Sequence, residues 1–151
     1  MSLVFNKRAR HDYTIEDELV AGVVLMGAEV KSLRLGHASL TGSFVKIVGE
    51  EAFLINAQIS PYKYADNSEY DPKRTRKLLL KRRELDRVVG QAQQKGRSLV
   101  ALEFKLIHNR IKLVIGIGRG KKQYEQRETL KRRAQSREIA QQTKASLRGF
   151  N

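Results

Sequence analysis

The chain has 151 residues, 40% of them hydrophobic, with no cysteine and three histidines. That length suits one domain, and the missing cysteine excludes disulfides, Cys-containing zinc sites and thiol catalysis. Thirty Lys and Arg against sixteen Asp and Glu give a formal charge of +14, well beyond what solubility needs, and such a field attracts polyanions.

No window approaches the uninterrupted apolar run of about 18 residues that a transmembrane helix needs. The N-terminus places its apolar residues before its charges, the reverse of a secretion signal. A cytoplasmic protein without a membrane partner is expected. His11, His37 and His108 show neither H-x3-H nor HExxH spacing, so no metal site and no cofactor are expected.

The basic charge is not spread evenly. Residues 12–72 carry ten acidic and four basic side chains, whereas residues 73–87 carry eight basic and two acidic, and residues 119–151 ten basic and three acidic.

In chain order, the first basic cluster runs from Asn6 to Tyr13. Lys7, Arg8 and Arg10 can neutralise phosphates, Asn6 and His11 can add hydrogen bonds, and Tyr13 can stack on a base. A charged, frayed terminus is the alternative. Leu19, Ala21, Val23 and Leu25 alternate as in a strand, although Val20 and Val24 make both faces apolar. Ala28 to Leu35 predicts a short helix stopped by Gly36. Its charges, Glu29, Lys31 and Arg34, fit a solvated surface as well as they fit a contact.

Ser43 to Val48 is a short strand candidate, and Phe53 to Ile59 alternates as a longer one. Gly49-Glu50-Glu51 separates the two runs as a hairpin would. Tyr62 to Lys77 has no apolar period and predicts a long surface loop. It ends in a basic run whose Arg74, Arg76 and Lys77 repel one another unless an anion is near. A solvated basic loop is the alternative.

Glu84 to Gln94 predicts a helix with Leu85, Val88, Val89 and Ala92 on one stripe, able to plug one end of a barrel and stopped by Gly96. Val100 to Leu106 and Ile111 to Ile117 alternate as the last two strands, joined through His108-Asn109. Gly118 and Gly120 are read as releasing the last strand into the tail. Gly120-Lys121-Lys122 lacks the spacing and the Ser/Thr of a phosphate loop. No G-x-S-x-G or G-G-Q segment occurs, and no enzymatic activity is expected.

Consecutive hairpins of five or six short strands predict a mainly β fold, a small antiparallel barrel with two or three short helices. Residues 1–124 are read as the barrel domain. Residues 125–151 hold strong helix formers but no continuous apolar stripe. That predicts a basic tail, disordered when free and helical when a partner supplies contacts.

Five segments in order resemble the SsrA-binding protein family, partners of transfer-messenger RNA. They are N-[RK]-[RK]-A-x-H-[DE]-Y at Asn6 to Tyr13, A-G-[IVL] at Ala21 to Val23, G-x-E-V-K-S-x-R-x-G at Gly27 to Gly36, D-P-x-R-x-R-K-L-L-L at Asp71 to Leu80 and G-K-K-x-[YH] at Gly120 to Tyr124. The resemblance implies an OB-like barrel that binds the tRNA-like domain of transfer-messenger RNA and brings it to stalled ribosomes, as a monomer. Alanyl-tRNA synthetase and elongation factor Tu would be met through the RNA. It implies RNA contacts at Asn6, Lys7, Arg8, Arg10, His11, Lys31, Arg34, Arg74, Arg76, Lys77 and Leu79. It implies contacts with the ribosome and its rRNA at Gly120, Lys121, Lys122, Tyr124, Arg127, Lys131, Arg132 and Arg133, from a tail lying in the empty mRNA channel.

Two positions depart from the family pattern. Val20 stands where a glutamate implicated in RNA binding is common, and Glu125-Gln126-Arg127 stands where many members read D-K-R. The runner-up reading is a ribosomal protein that binds rRNA permanently.

Overall fold

A computed structural model describes residues 1–94 and 96–120. Residues Met1–Gly120 form one compact unit.

The unit holds nine strands and three helices in the order β1 (Ser2–Phe5), α1 (Lys7–Asp12), β2 (Tyr13–Val23), α2 (Gly27–Arg34), β3 (Ala38–Ser39), β4 (Phe44–Val48), β5 (Glu51–Ile55), β6 (Gln58–Ile59), β7 (Arg76–Leu79), α3 (Arg82–Ala92), β8 (Arg97–Ile107) and β9 (Arg110–Gly120). Seven strands make one sheet in the order β1-β8-β9-β2-β7-β5-β4, and β3 pairs with β6 in a second, small sheet. Every pairing is antiparallel. The sheet curls as an OB-like barrel does, but no hydrogen-bonded ladder joins its end strands β1 and β4. Instead β4 approaches β8 across a groove of about 1010 Å³, floored by Val45, Leu99 and Val100 and flanked by α1 and α3.

Alternation decides which face is buried in β2, β5 and β7. The middles of β8 and β9 are buried on both faces, and a bulge between Ala101 and Glu103 puts Val100 and Leu102 on the face opposite Phe104. Leu19, Ala21, Leu54, Leu78, Leu113, Ile115 and Ile117 point into one core, where Leu85 and Val88 of α3 join them. The apolar stripe of α3 thus covers the core as its spacing predicts. A smaller cluster of Ala9, Val100, Leu102 and Val114 lies where α1 packs against β8 and β9. The segment that composition left open as a frayed terminus is therefore a docked helix. Asn6 caps it by accepting a hydrogen bond from the backbone N–H of Ala9 at 3.1 Å.

The hairpins follow their turn residues. His108 and Asn109 both have positive φ, 48° and 60°, as a tight two-residue hairpin turn requires. Val48 pairs with Glu51, so the β4–β5 loop is Gly49-Glu50, with Gly49 at φ 62°.

The structure corrects four element boundaries. The loop expected over Tyr62 to Lys77 stops short of Arg76, where β7 begins. The run from Phe53 to Ile59 is two strands, because Asn56 takes φ 63° and breaks the ladder between β5 and β6. Strand β2 starts at Tyr13, well before Leu19, and continues through the acidic residues 16–18. Arginines gathered from other elements allow this: Glu16 is paired with Arg97 at 2.9 Å and Arg119 at 3.2 Å, Glu18 with Arg10 at 3.2 Å, and Asp17 with Arg87. Finally, β9 does not end before Gly118 but continues to Gly120. A Cβ on Gly118 would lie 2.3 Å from the Thr14 carbonyl oxygen, and one on Gly116 would lie 2.8 Å from Leu102 Cδ1. These glycines allow close approach within the sheet; they do not release the strand.

Candidate nucleic-acid interface

Two motif segments far apart in sequence meet at one buried carboxylate. Glu29 lies in the first turn of α2, where its Oε1 accepts the backbone N–H of Met26 at 2.8 Å. This is the helix-start geometry expected of a glutamate three residues past the cap. Glu29 also accepts hydrogen bonds from Arg74, through both Nε and Nη2, and from Arg76 Nε at 2.8 Å. Arg76 is fully buried, and its guanidinium spends all five donors inside the protein. Besides Glu29 it reaches the carbonyls of Ala57, Arg74 and Pro72 and the hydroxyl of Tyr70. The Tyr70 hydroxyl lies within hydrogen-bonding distance of Glu29 Oε2 (3.1 Å) and the Ile59 carbonyl (2.8 Å).

The electrostatics agree with this geometry. Burial pushes the Glu29 carboxyl up, but the hydrogen bonds from Arg74, Met26 and Arg76 outweigh it and hold it below the ordinary glutamate value. Burial and the Glu29 charge push the Tyr70 phenol above its ordinary value. The loop between β6 and β7 is thus pinned at its C-terminal end to α2.

The same segment turns outward at its next alternate positions. On β7, Arg76 and Leu78 are buried while Lys77 and Leu79 are exposed. Leu79 is 54% exposed and pairs across the ladder with Gly22. A Cβ on Gly22 would lie 3.1 Å from Leu79 Cβ, so the glycine leaves room for the leucine. On the far side of Gly22 sits Lys112 of β9. Leu79, Gly22, Arg110, Lys112 and Val30 of α2 line a shallow hollow of about 330 Å³. Lys77 makes a solvent-exposed ion pair with Glu51 at 3.2 Å, a contact too weak to hold it from a phosphate. Val20 lies on the same sheet face and is 42% exposed, not part of the core.

The remaining sequence-predicted residues fall into three groups. Lys31 and Arg34 are exposed on α2, with the Lys31 ammonium 5.7 Å from the centre of the Tyr62 ring. Lys7, Arg8 and His11 are exposed on α1, which borders the β4–β8 groove and not the Leu79 hollow. Arg10 is half-buried, paired with Glu18 and lying over the Phe5 ring.

Two residues expected at an RNA surface instead have their side chains committed inside. Asn6 is 4% exposed and donates to the carbonyls of Leu40 and Ala101 while it caps α1. Arg76 is the other, and Arg74 is largely turned toward Glu29. In this conformation these residues shape the surface from beneath it. Sequence reasoning missed Glu29 and Tyr70, whose signals were faint: a glutamate at a helix start, and a lone tyrosine in a polar loop. Gly120 ends β9; Lys121, Lys122, Tyr124, Arg127, Lys131, Arg132 and Arg133 lie outside the described residues, as does the expected domain boundary at 124. Among the described residues no group of three or more His, Asp or Glu is placed to hold a metal ion.

A family model described as SmpB protein matches residues 3–145. The chain belongs to the SsrA-binding protein (SmpB) family. It is 45% identical over 144 residues to an SsrA-binding protein of Shouchella clausii, covering 95% of this chain and 92% of that one. It is also 45% identical over 145 residues to one from Bacillus subtilis, covering 96% and 93%. A chain of the solved structure described as "tmRNA-SmpB: a journey to the center of the bacterial ribosome" matches it with a TM-score of 0.68 at 43% identity, covering 80% of this chain and 85% of that one.

Within this SsrA-binding family member, the G-x-E-V-K-S and D-P-x-R-x-R-K-L-L-L segments are one structural unit. The glutamate of the first binds both arginines of the second. The lysine and the middle leucine that follow are carried outward by strand alternation.

Proposed function

We propose that this protein binds the tRNA-like domain of transfer-messenger RNA and delivers it to stalled ribosomes for trans-translation. It acts in the cytoplasm and by binding alone, with no bond broken by its own residues. The observation that carries this reading is the display of Lys77 and Leu79 beside Gly22, with Arg110 and Lys112 rimming the same hollow. An apolar contact framed by cations, on a rigid sheet, suits an RNA whose bases are accessible and whose phosphates need neutralising. Lys31 and Arg34 extend the cationic rim along α2, and the exposed Lys7, Arg8 and His11 of α1 are further phosphate contacts. The family relationship supplies the identity of the RNA. Ribosome contacts are assigned to Gly120 and to Lys121, Lys122, Tyr124, Arg127, Lys131, Arg132 and Arg133.

Sequencing the RNA that copurifies with the protein tests the reading. Strong enrichment of transfer-messenger RNA over rRNA and tRNA is the expected result. Recovery of rRNA without that enrichment would overturn it in favour of a permanent ribosomal component.

A further inference from the structure

The outward face of the sheet does not end at Leu79. Strand β5 lies beyond β7, and β4 beyond β5. Across these strands Lys46 stands directly opposite Phe53, and Phe53 directly opposite Lys77. Directly opposed residues place their Cβ atoms about 5 Å apart on one face. The Phe53 ring is therefore flanked on both sides by lysines. Ala52 and Leu54, its neighbours in β5, point the other way into the core, so Phe53 lies on the outward face and is only partly covered. Lys46 is exposed, and so are Phe44 and Val48, which share its side of β4. Glu51 is the acidic neighbour on this face, and it reaches Lys77 through an exposed pair at 3.2 Å.

This arrangement has no evident purpose in the fold. A partly exposed aromatic contributes less to a core than a buried one, and the two lysines opposite it bring like charge to one face. It has the composition of a base-stacking platform, with an aromatic face for a base and cations at either side for the flanking phosphates. It is continuous with the Lys77–Leu79 surface through Lys77 itself. It is carried on central and edge strands of a sheet and so is pre-organised.

We propose that Phe53, with Lys46 and Lys77 on either side, stacks on an unpaired base of the bound RNA, so that the RNA contact crosses β5 and reaches the edge strand β4. This rests on the RNA-binding reading above and deepens it.

The test compares the full chain with Phe53→Leu, Phe53→Tyr and Lys46→Ala for binding to the tRNA-like domain RNA over a range of salt. Thermal melting of each protein serves as the folding control. Stacking on an aromatic ring predicts that Phe53→Leu loses roughly tenfold in affinity while Phe53→Tyr stays near the parent. Lys46→Ala should flatten the log–log salt slope by about 0.7 to 0.9, one phosphate's worth. If Phe53→Leu melts like the parent and binds as tightly, the stacking contact is overturned and the RNA-binding reading stands. If Phe53→Tyr falls as far as Phe53→Leu, the ring is not the recognised feature and the proposal is likewise overturned. A parent protein that binds this RNA no better than an unrelated tRNA would overturn the functional reading, and the stacking contact with it.

Discussion

Glu29 and Arg76 form a buried ion pair that joins helix α2 to strand β7 across 47 residues of sequence, with guanidinium nitrogens at 2.6 and 2.8 Å from one carboxylate oxygen. Neither residue touches solvent to any extent, their side chains being 1% and 0% exposed. Such a pair need not add net stability over a well-packed apolar one, because burying both charges is costly. Breaking it leaves one charge stranded. Its role is positional, fixing how α2 and the strand bearing Lys77 and Leu79 sit with respect to each other.

Removing one member should therefore destabilise strongly. Glu29→Ala and Arg76→Met are each expected to cost about 3–5 kcal/mol of unfolding free energy, measured by urea denaturation. Arg76→Lys should not rescue, because an ammonium cannot supply the five donors that Glu29, Tyr70 and three carbonyls now receive. A loss within 0.5 kcal/mol of zero for either single variant would show that the pair is incidental.

The pH dependence follows from the same cluster. The Glu29 carboxyl is held below its ordinary value of 4.5 when folded. Its contribution is therefore fully present above about 4.5 and is lost as pH falls through the depressed folded value. The Tyr70 phenol is raised above its ordinary value of 10.0. Its contribution is fully present below about 10 and is lost as pH rises through the raised value. Unfolding free energy measured from pH 3 to 11 should fall at both ends. Glu29→Gln should flatten the acid limb, and Tyr70→Phe the alkaline one. Limbs that keep their slopes in these variants would assign the effect to other groups.

Val20, which departs from the family pattern read in the sequence, is 42% exposed on the sheet face shared with Gly22. Val20→Glu should change the unfolding free energy by no more than about 0.5 kcal/mol, as surface substitutions usually do. Binding to the tRNA-like domain should tighten or stay unchanged. A melt together with a binding titration checks both, and a large drop in melting temperature would mean that the side chain is needed in the packing.

The compact unit ends at Gly120. A truncation after Tyr124 should therefore fold and keep most of its affinity for the tRNA-like domain, yet fail to support peptide tagging on stalled ribosomes. Tagging that survives truncation would remove the ribosome role from residues 125–151. Loss of folding would show that the first unit depends on them.

Local pattern alone made much of this protein legible. Period-two alternation marked the core face of β9, the spacing of Leu85, Val88 and Ala92 marked α3, and His108-Asn109 and Gly49 marked the hairpins. In each case burial and turn geometry are set within a few residues. In β8 the alternation failed, because a bulge between Ala101 and Glu103 puts Val100 and Leu102 on the face opposite Phe104. The five ordered motifs likewise pointed to the family from sequence alone. What sequence could not supply was the role of charge, because a charged side chain is defined by the partner it meets. Arg74, Arg76 and Lys77 are near-identical in composition, yet Arg76 is fully buried, Arg74 bends toward Glu29 and Lys77 faces solvent. The alternating pattern began only at Leu19, and β2 extends back through the acidic run 16–18 where Arg10, Arg87, Arg97 and Arg119 meet it from four other elements. Gly118 resembled a strand terminator because the Thr14 carbonyl that excludes a Cβ lies over a hundred residues away in the chain. Contacts of that range follow from how the sheet curls and which strands it pairs, so only the tertiary structure decided which basic residues build the scaffold and which remain on its surface.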